Sequence, residues 1–239
     1  NGTTITEASF VEVYADIWKS CFTPSPPIAD AIQTMLDTSG LQPGNYVSAH
    51  LRLLYFKAER QSNMIEKFTR NAIHCASTLR PGRPIFLASD ASYATQYGPT
   101  YGQQINATVI IHTPNPNPIV HIDRPDGIAV EPVALPEGST RPPTWYRPPS
   151  DYYYTFIDLY LLSLGGCSFY GKGGYGYWAA LIGGVNLKCS YKERIKKGLP
   201  ENPCKFQPSP PGGMLLDDNT IQVHNNQQRR PPPFLEPMV

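Results

Sequence analysis

Two polar residues interrupt an apolar segment in the first quarter of the chain. His50 and Arg52 stand two apart in YVSAHLRLL, a segment that is rich in strand-forming residues and follows a Pro-Gly turn signal. Residues two apart on a strand point to the same side of a sheet, so both side chains would converge on one site. Arginine presents a planar, permanently charged fork of donors, which suits a diphosphate. The alternative is a strand arginine that pairs with a carboxylate.

A glycine-rich turn follows a later apolar segment. Residues 171–176 read GKGGYG and match the pattern G-x-G-x-x-G between a predicted strand and a predicted helix. Such a turn bares backbone N–H groups at a helix N-terminus, where they can bind an anion. A dinucleotide-binding fold is disfavoured because only one more strand is predicted after the glycines. The turn therefore predicts a phosphate site, with a purely packing role as the alternative.

An acidic residue lies inside an apolar segment. Asp158 is the only charged residue of YYYTFIDLYLLSL, which predicts a helix over residues 152–164. A buried carboxylate is costly unless it has a partner. Asp158 could accept hydrogen bonds from the N–H groups of a guanine, or it could face solvent. Asp90, which follows another apolar segment, is predicted to cap the next helix.

Alternating strands and helices are needed to position these residues. The patterns predict strands over residues 46–54, 84–88, 107–112, 167–170 and 185–190. They predict helices over residues 8–21, 28–36, 152–164 and 175–182, and a further helix from an N-cap at Ser62 to the turn at Pro81. The alternation indicates an α/β fold, a Rossmann-like open parallel sheet with helices on both faces and a ligand at the carboxyl ends of its strands.

Composition divides the chain into three parts. Residues 1–40 are predicted to be a helical segment at the end of a missing N-terminal half, because the chain starts without Met, signal peptide or transmembrane run. Residues 41–199 would form the ligand-binding domain, with a proline-rich insertion at 113–150, and residues 200–239 a disordered tail. A net charge of +1 and 16% charged residues exclude a general electrostatic field for nucleic acid or an acidic membrane.

Cysteine usage bounds the compartment and the metal chemistry. The chain has five Cys and five His without metal-ligand spacing, so no metal site is expected. Sequons at Asn1 and Asn106 fit a secretory-pathway protein, in which Cys189 and Cys204 could pair.

The order of these segments resembles the GDP-fucose protein O-fucosyltransferase and α1,6-fucosyltransferase group. AHLR at 49–52 resembles the H-x-R motif of that family, IFLASD at 85–90 resembles its second strand and acidic turn, and IDLYLL at 157–162 resembles its I/V-D-L segment. The family has a serine-rich turn beyond the aspartate. Here that place is taken by Gly174, Tyr175 and Gly176.

The resemblance implies the donor-binding half of an inverting, metal-independent GT-B glycosyltransferase without cofactors, in the Golgi or endoplasmic reticulum lumen. Arg52 would be the catalytic residue, gripping the donor β-phosphate and stabilising the leaving GDP. His50 would lie beside the diphosphate, Asp158 would read the guanine, and the turn at 174–176 would bind phosphate. The implied partners are GDP-fucose as donor and a glycan or glycoprotein as acceptor. Nucleic acid is excluded, and membrane contact would come only through a missing N-terminal anchor.

The catalytic base and two other functions stay open. A base would come from the acceptor side of the cleft, and Glu59 and Asp90 are the candidates within the chain. A non-catalytic module could bind a nucleotide or glycan in the same pocket. An NAD-dependent oxidoreductase would use the turn from Gly171 to Gly176.

Overall fold

A five-stranded parallel sheet forms the centre of the protein. The computed structural model describes residues 7–53, 62–112, 149–171, 173–184, 189–193, 195–196, 199–200 and 204. All neighbouring strands pair in parallel, and their spatial order is β3-β2-β1-β4-β5. The strands are β1 (Val47–Leu51), β2 (Ile85–Ser89), β3 (Val109–Ile111), β4 (Cys167–Tyr170) and β5 (Ser190–Lys192). The predicted α/β class with a parallel sheet is confirmed.

Helices cover both faces of this sheet. The helices of the described chain are α1 (Glu7–Cys21), α2 (Pro26–Ser39), α3 (Ser62–Leu79), α4 (Ser92–Gln104), α5 (Tyr153–Ser163) and α6 (Tyr175–Ile182). A 3-10 turn, Pro149–Tyr152, leads into α5, and a short antiparallel pair, β6 (Ile195–Lys196) and β7 (Leu199–Pro200), follows the sheet. Within the described ranges, we find no helix that combines the length and the apolar character needed to cross a membrane.

The central strands are buried on both sides. Val47, Ala49 and Leu51 pack in one core with α3, while Tyr46 and Phe86 pack in a second core with α2 and α5. This burial explains why the strands read as nearly continuous apolar runs rather than as alternating ones. The helix α1 packs on α6, so the N-terminal helices are part of the same packed unit.

The last strand of the sheet begins later than predicted. The apolar content of residues 185–190 predicts a strand there, but β5 starts at Ser190, and residues 185–188 lie outside the described chain. Parallel pairing places Ser190 opposite Ser168, and the Tyr191 ring stacks on Phe169 with ring centroids 5.6 Å apart. Pairing with β4 therefore determines the position of β5.

The predicted caps of two helices differ from the structure. Helix α3 already includes Ser62, its predicted N-cap. The N-cap of α4 is Ala91, without a side-chain cap hydrogen bond. Asp90, the predicted cap, instead accepts a hydrogen bond from the backbone N–H of Leu53 at 2.6 Å. Its carboxylate thus joins the segment after β1 to the end of β2.

The disulfides correct the predicted pairing of Cys189 with Cys204. Cys167 bonds to Cys189 and Cys75 bonds to Cys204, each with Cα atoms 4.9 Å apart. Cys189 directly precedes β5 and Cys167 is the first residue of β4, so the parallel pairing of these strands brings the two cysteines together. The other bond attaches the chain after β7 to α3.

The two proline-rich stretches lie almost entirely outside the described residues. Of the insertion predicted at 113–150, residues 149 and 150 begin the 3-10 turn. Of the tail predicted to be disordered from residue 200, Pro200 belongs to β7, and Cys204 is half-buried beside α3. The disulfide to Cys75 therefore attaches Cys204 to α3.

Tyr46 connects the start of β1 to the end of α5. Its ring is fully buried, edge-on to Phe86, and its hydroxyl donates to the backbone carbonyl of Leu161. Leu161 lies in the last turn of α5, where carbonyls have no partner within the helix. Burial raises the pKa of Tyr46, so the hydroxyl keeps its proton and remains a donor.

Removal of this hydroxyl should destabilise the fold. Tyr46→Phe leaves the Leu161 carbonyl buried without its donor, and we expect the free energy of unfolding to fall by about 1–3 kcal/mol. Tyr93→Phe removes the same atom from a ring that is 36% exposed on α4, and it should cost less than about 0.5 kcal/mol. Urea unfolding of both variants provides the measurement. Equal stability of Tyr46→Phe and the parent chain would contradict the role of Tyr46.

Candidate functional site

The order in which the chain adds strands to the sheet reverses between β1 and β4. The chain runs from β1 outward to β2 and β3, then returns to the centre and continues through β4 to β5. After β1 the chain goes to α3 on one face, and after β4 it goes to α6 on the other face. Because α3 and α6 cover opposite faces of the sheet, this topology predicts a crevice at the carboxyl ends of β1 and β4. Open α/β sheets bind ligands at such a point.

His50 lies on the α6 side of β1, beside this crevice. Its side chain is buried, and its ring centroid is 4.8 Å from that of Tyr175, the first residue of α6. A Cβ atom at Gly176 would stand 3.0 Å from both Cβ and Nδ1 of His50, and 2.7 Å from Cβ of Tyr170. The absence of a side chain at Gly176 is therefore what allows α6 to approach β1 this closely.

Arg52 lies against the glycine-rich turn. Gly173 has a φ angle of 96°, a conformation that favours glycine. A Cβ atom there would stand 3.2 Å from Cδ of Arg52 and 3.5 Å from its Nη1. Arg52 is half-buried and follows the last residue of β1, so it extends from the strand end toward the turn. The structure thus brings Arg52, His50 and the turn together at one edge.

The N-terminus of α6 begins at the same turn. Its N-cap is Gly174, which is exposed and makes no side-chain cap hydrogen bond. The first N–H groups of a helix have no carbonyl partner within it, and they carry partial positive charge. Combined with the guanidinium of Arg52, this backbone suits a phosphate group.

Asp158 is placed on α5 next to the same edge of the sheet. Its Oδ1 lies 3.0 Å from Nδ1 of His112, the residue that follows β3. Burial raises the pKa of Tyr175 well above its ordinary value, and the nearby charge of Asp158 raises it further. Tyr175 in turn contacts His50. A single aromatic ring therefore links Asp158 to the phosphate end of the site.

The environment of Asp158 perturbs its ionisation. Burial among apolar groups raises the pKa of Asp158, and the hydrogen bond and charge of His112 oppose that rise. About a quarter of the carboxyl side chain remains accessible. Among the described residues, His112 is the hydrogen-bond partner of this carboxylate, and part of the Asp158 side chain remains accessible.

Two other carboxylates at this end of the sheet serve hydrogen bonds within the protein. Asp90 bonds to the N–H of Leu53, as described above. Glu193 follows β5, is 6% exposed, and accepts a hydrogen bond from Nδ2 of Asn71 at 3.0 Å. In a dinucleotide site an acidic residue here would bind the ribose hydroxyls. Because its carboxylate is buried and already bonded, this arrangement disfavours the NAD interpretation.

Two residues named in the sequence analysis cannot be placed in the site, and the described residues form no metal-binding cluster. Glu59, proposed as a base, and Lys172 of the glycine-rich turn lie outside the described residues. Across the part of the chain that is described, no cluster of three or more His, Cys, Asp or Glu side chains could hold a metal ion.

Two residues of the site were missed by sequence reasoning. His112 follows β3 directly, as Arg52 follows β1, so the rule that ligands bind at carboxyl strand ends could have identified it. Trp178 is 52% exposed, and its ring lies 3.9 Å from the Cβ position of Gly174. Nothing in the local sequence distinguishes Trp178 from an aromatic residue of the core.

Comparison with known proteins adds no assignment to this geometry. Neither the models of protein families nor the curated proteins contain a match to the chain.

The close approach of α6 to His50 can be tested with two glycines of the same turn. Gly176→Ala should lower the free energy of unfolding by about 1–3 kcal/mol, because its methyl group would overlap His50 and Tyr170. Gly174→Ala is the matched control, since its Cβ atom would meet nothing closer than 3.9 Å at a φ of −84°. Urea unfolding should separate the two variants. Indistinguishable stabilities would rule out the tight contact between α6 and β1.

Proposed function

We propose that this chain is the donor-binding half of a fucosyltransferase-like glycosyltransferase. It binds GDP-fucose and transfers the sugar, with inversion, to a hydroxyl of a glycan or protein. The observation that carries the proposal is the convergence of Arg52, His50 and the N-terminus of α6 on the crevice between β1 and β4. A charged fork and a helix N-terminus at one point favour a diphosphate over a single weak anion.

Arg52 is the catalytic residue of the proposal. In the transfer, the acceptor oxygen attacks the anomeric carbon and its proton passes to a base on the acceptor side of the cleft. The bond from the anomeric carbon to the diphosphate breaks, and negative charge develops on the β-phosphate of the leaving GDP. A guanidinium keeps its proton at any working pH, so Arg52 stabilises this charge without a metal ion. The N–H groups at Gly174, Tyr175 and Gly176 add hydrogen bonds to the same phosphate.

Asp158 supplies the preference for guanine. A guanine presents two neighbouring N–H donors on its pairing edge, and an ionised carboxylate has two acceptor oxygens to receive them. With the phosphates at the N-terminus of α6, the guanine would extend past Tyr175 toward α5 and the end of β3. This direction follows the ring contact between His50 and Tyr175 and the effect of the Asp158 charge on Tyr175.

Binding of GDP to the chain is the decisive measurement. Isothermal calorimetry should detect GDP binding, and Arg52→Ala should weaken it by about 10- to 100-fold because a charge-assisted bidentate contact is lost. Arg52→Lys should bind with intermediate affinity, since it keeps the charge but not the fork. Arg83→Ala is the matched control, because Arg83 is exposed and precedes β2 at the opposite end of the sheet.

The outcomes separate the proposed function from its alternatives. Tight GDP binding that is indifferent to Arg52→Ala would overturn the assignment of the phosphate site. GDP-fucose hydrolysis or transfer by the full protein would support an enzyme, whereas binding without either reaction would indicate a non-catalytic module. NAD binding that depends on Gly171 and Gly173 would favour an oxidoreductase.

We also propose that the protein resides in the lumen of the secretory pathway. Two disulfides in the described chain fit an oxidising compartment. The sequon at Asn106 adds an independent argument, because Asn106 is exposed in the turn between α4 and β3, with a φ angle of 57°. Thr108, the third residue of the sequon, is exposed as well.

The localisation predicts an N-glycan on Asn106. Peptide mass spectrometry of the protein secreted from eukaryotic cells should show the glycan, and N-glycanase should convert Asn106 to aspartate. Thr108→Ala should abolish the modification, whereas Thr108→Ser retains the sequon and should preserve it. An unmodified Asn106 in folded, secreted protein would count against this localisation.

A further inference from the structure

His112 pairs with the carboxylate to which the proposed function assigns recognition of the guanine. Its Nδ1 lies 3.0 Å from Oδ1 of Asp158, and its ring packs against Tyr154 with ring centroids 4.9 Å apart. The side chains of His112 and Asp158 are 17% and 26% exposed. The imidazole is therefore held from two sides, and both side chains remain partly accessible.

We propose that His112 is a positioning residue that orients the Asp158 carboxylate to read the N–H donors of a guanine. This inference rests on the proposed function, because it names the basis of nucleotide selection at the same site. Nδ1–H of His112 donates to Oδ1 and fixes the plane of the carboxylate. Each carboxylate oxygen has two lone pairs, so Oδ1 can accept a ligand N–H as well, and Oδ2 accepts a second one.

The pairing edges of the purines make this arrangement selective. Guanine offers N–H groups at N1 and at the 2-amino group, which match two acceptors. Adenine presents an acceptor at N1 and leaves one carboxylate oxygen facing a lone pair, which costs affinity. Xanthine keeps N1–H but has a carbonyl at position 2. A carboxylate repels that carbonyl, whereas an amide in place of Asp158 could donate to it.

The carboxylate must be ionised to accept both donors. Burial raises the pKa of Asp158 and His112 opposes the rise, so loss of His112 should raise that pKa further. The affinity for GDP should fall as the pH drops through the pKa of Asp158, and without His112 this fall should begin at higher pH. Within the described part of the chain, the other titratable groups around the pair are Tyr175 on α6 and Tyr154 on α5. Tyr175 has a raised pKa and stays neutral over this range.

The test is calorimetry of the whole chain with GDP, ADP and xanthosine diphosphate between about pH 5 and 8. His112→Ala should weaken GDP binding by about 10-fold at neutral pH, narrow the preference for GDP over ADP, and move the acidic loss of affinity to higher pH. His112→Asn should recover most of the affinity, because its amide can donate to Asp158. Asp158→Asn should prefer xanthosine diphosphate over GDP. His74→Ala, which removes an exposed histidine of α3, is the control.

The possible results separate this inference from the function on which it rests. GDP binding that requires Arg52 but is unchanged in His112→Ala at every pH would overturn the role of His112 and leave the proposed function standing. Retained GDP preference in Asp158→Asn would overturn the role of His112 and also the assignment of guanine recognition to Asp158, and it would leave only the phosphate site of the proposed function standing. If GDP does not bind in an Arg52-dependent manner, both proposals fail. Urea unfolding of His112→Ala and His112→Asn identifies a general loss of folding. If His112 contributes only packing, the free energy of unfolding should fall in both variants.

Discussion

The parallel pairing of β1 with two neighbours is the constraint on which the rest of the structure depends. Val47 stands opposite Ile85 of β2 on one side and Cys167 of β4 on the other. Parallel neighbours require crossover connections, and crossovers in one sheet have one preferred hand. When the chain leaves β1 on one side and returns on the other, the crossovers must lie on opposite faces. The crevice thus follows from the strand order alone and does not depend on particular side chains.

The geometry of the candidate site depends on positions that lack side chains. Gly176 allows α6 to contact His50, and Gly173 allows the turn to contact Arg52. Both glycines are required by their surroundings, one by a close contact and the other by a positive φ angle. Gly173 and Gly174 leave the backbone exposed at the start of α6. Tight packing and phosphate binding, which were alternatives for this turn at the level of the sequence, are therefore compatible features of one geometry.

Much of the framework could be predicted from local patterns. The bounds of β4 and α6 agree with the prediction because each is a short apolar run bounded by glycine. The start of β5 could not be predicted, since its position depends on pairing with β4 and on the disulfide to Cys167. Disulfide connectivity depends on tertiary proximity and is not contained in the spacing of cysteines. The predicted helix cap at Asp90 is wrong because its carboxylate accepts a hydrogen bond from the backbone N–H of Leu53, a residue distant in sequence.

The same limit explains why the partner of Asp158 was missed. Sequence reasoning recognised that a carboxylate in an apolar helix needs compensation, but the compensating residue is 46 positions away, across the proline-rich insertion. The helix must be apolar because it covers the sheet, and a carboxylate in that place carries a desolvation cost that burial imposes. His112 offsets part of this cost through its hydrogen bond to Oδ1. Burial of an ion pair has a desolvation cost that can exceed its Coulombic gain, and the side chains of this pair remain partly accessible. A raised pKa on a partly accessible carboxylate therefore favours a ligand-binding role for Asp158.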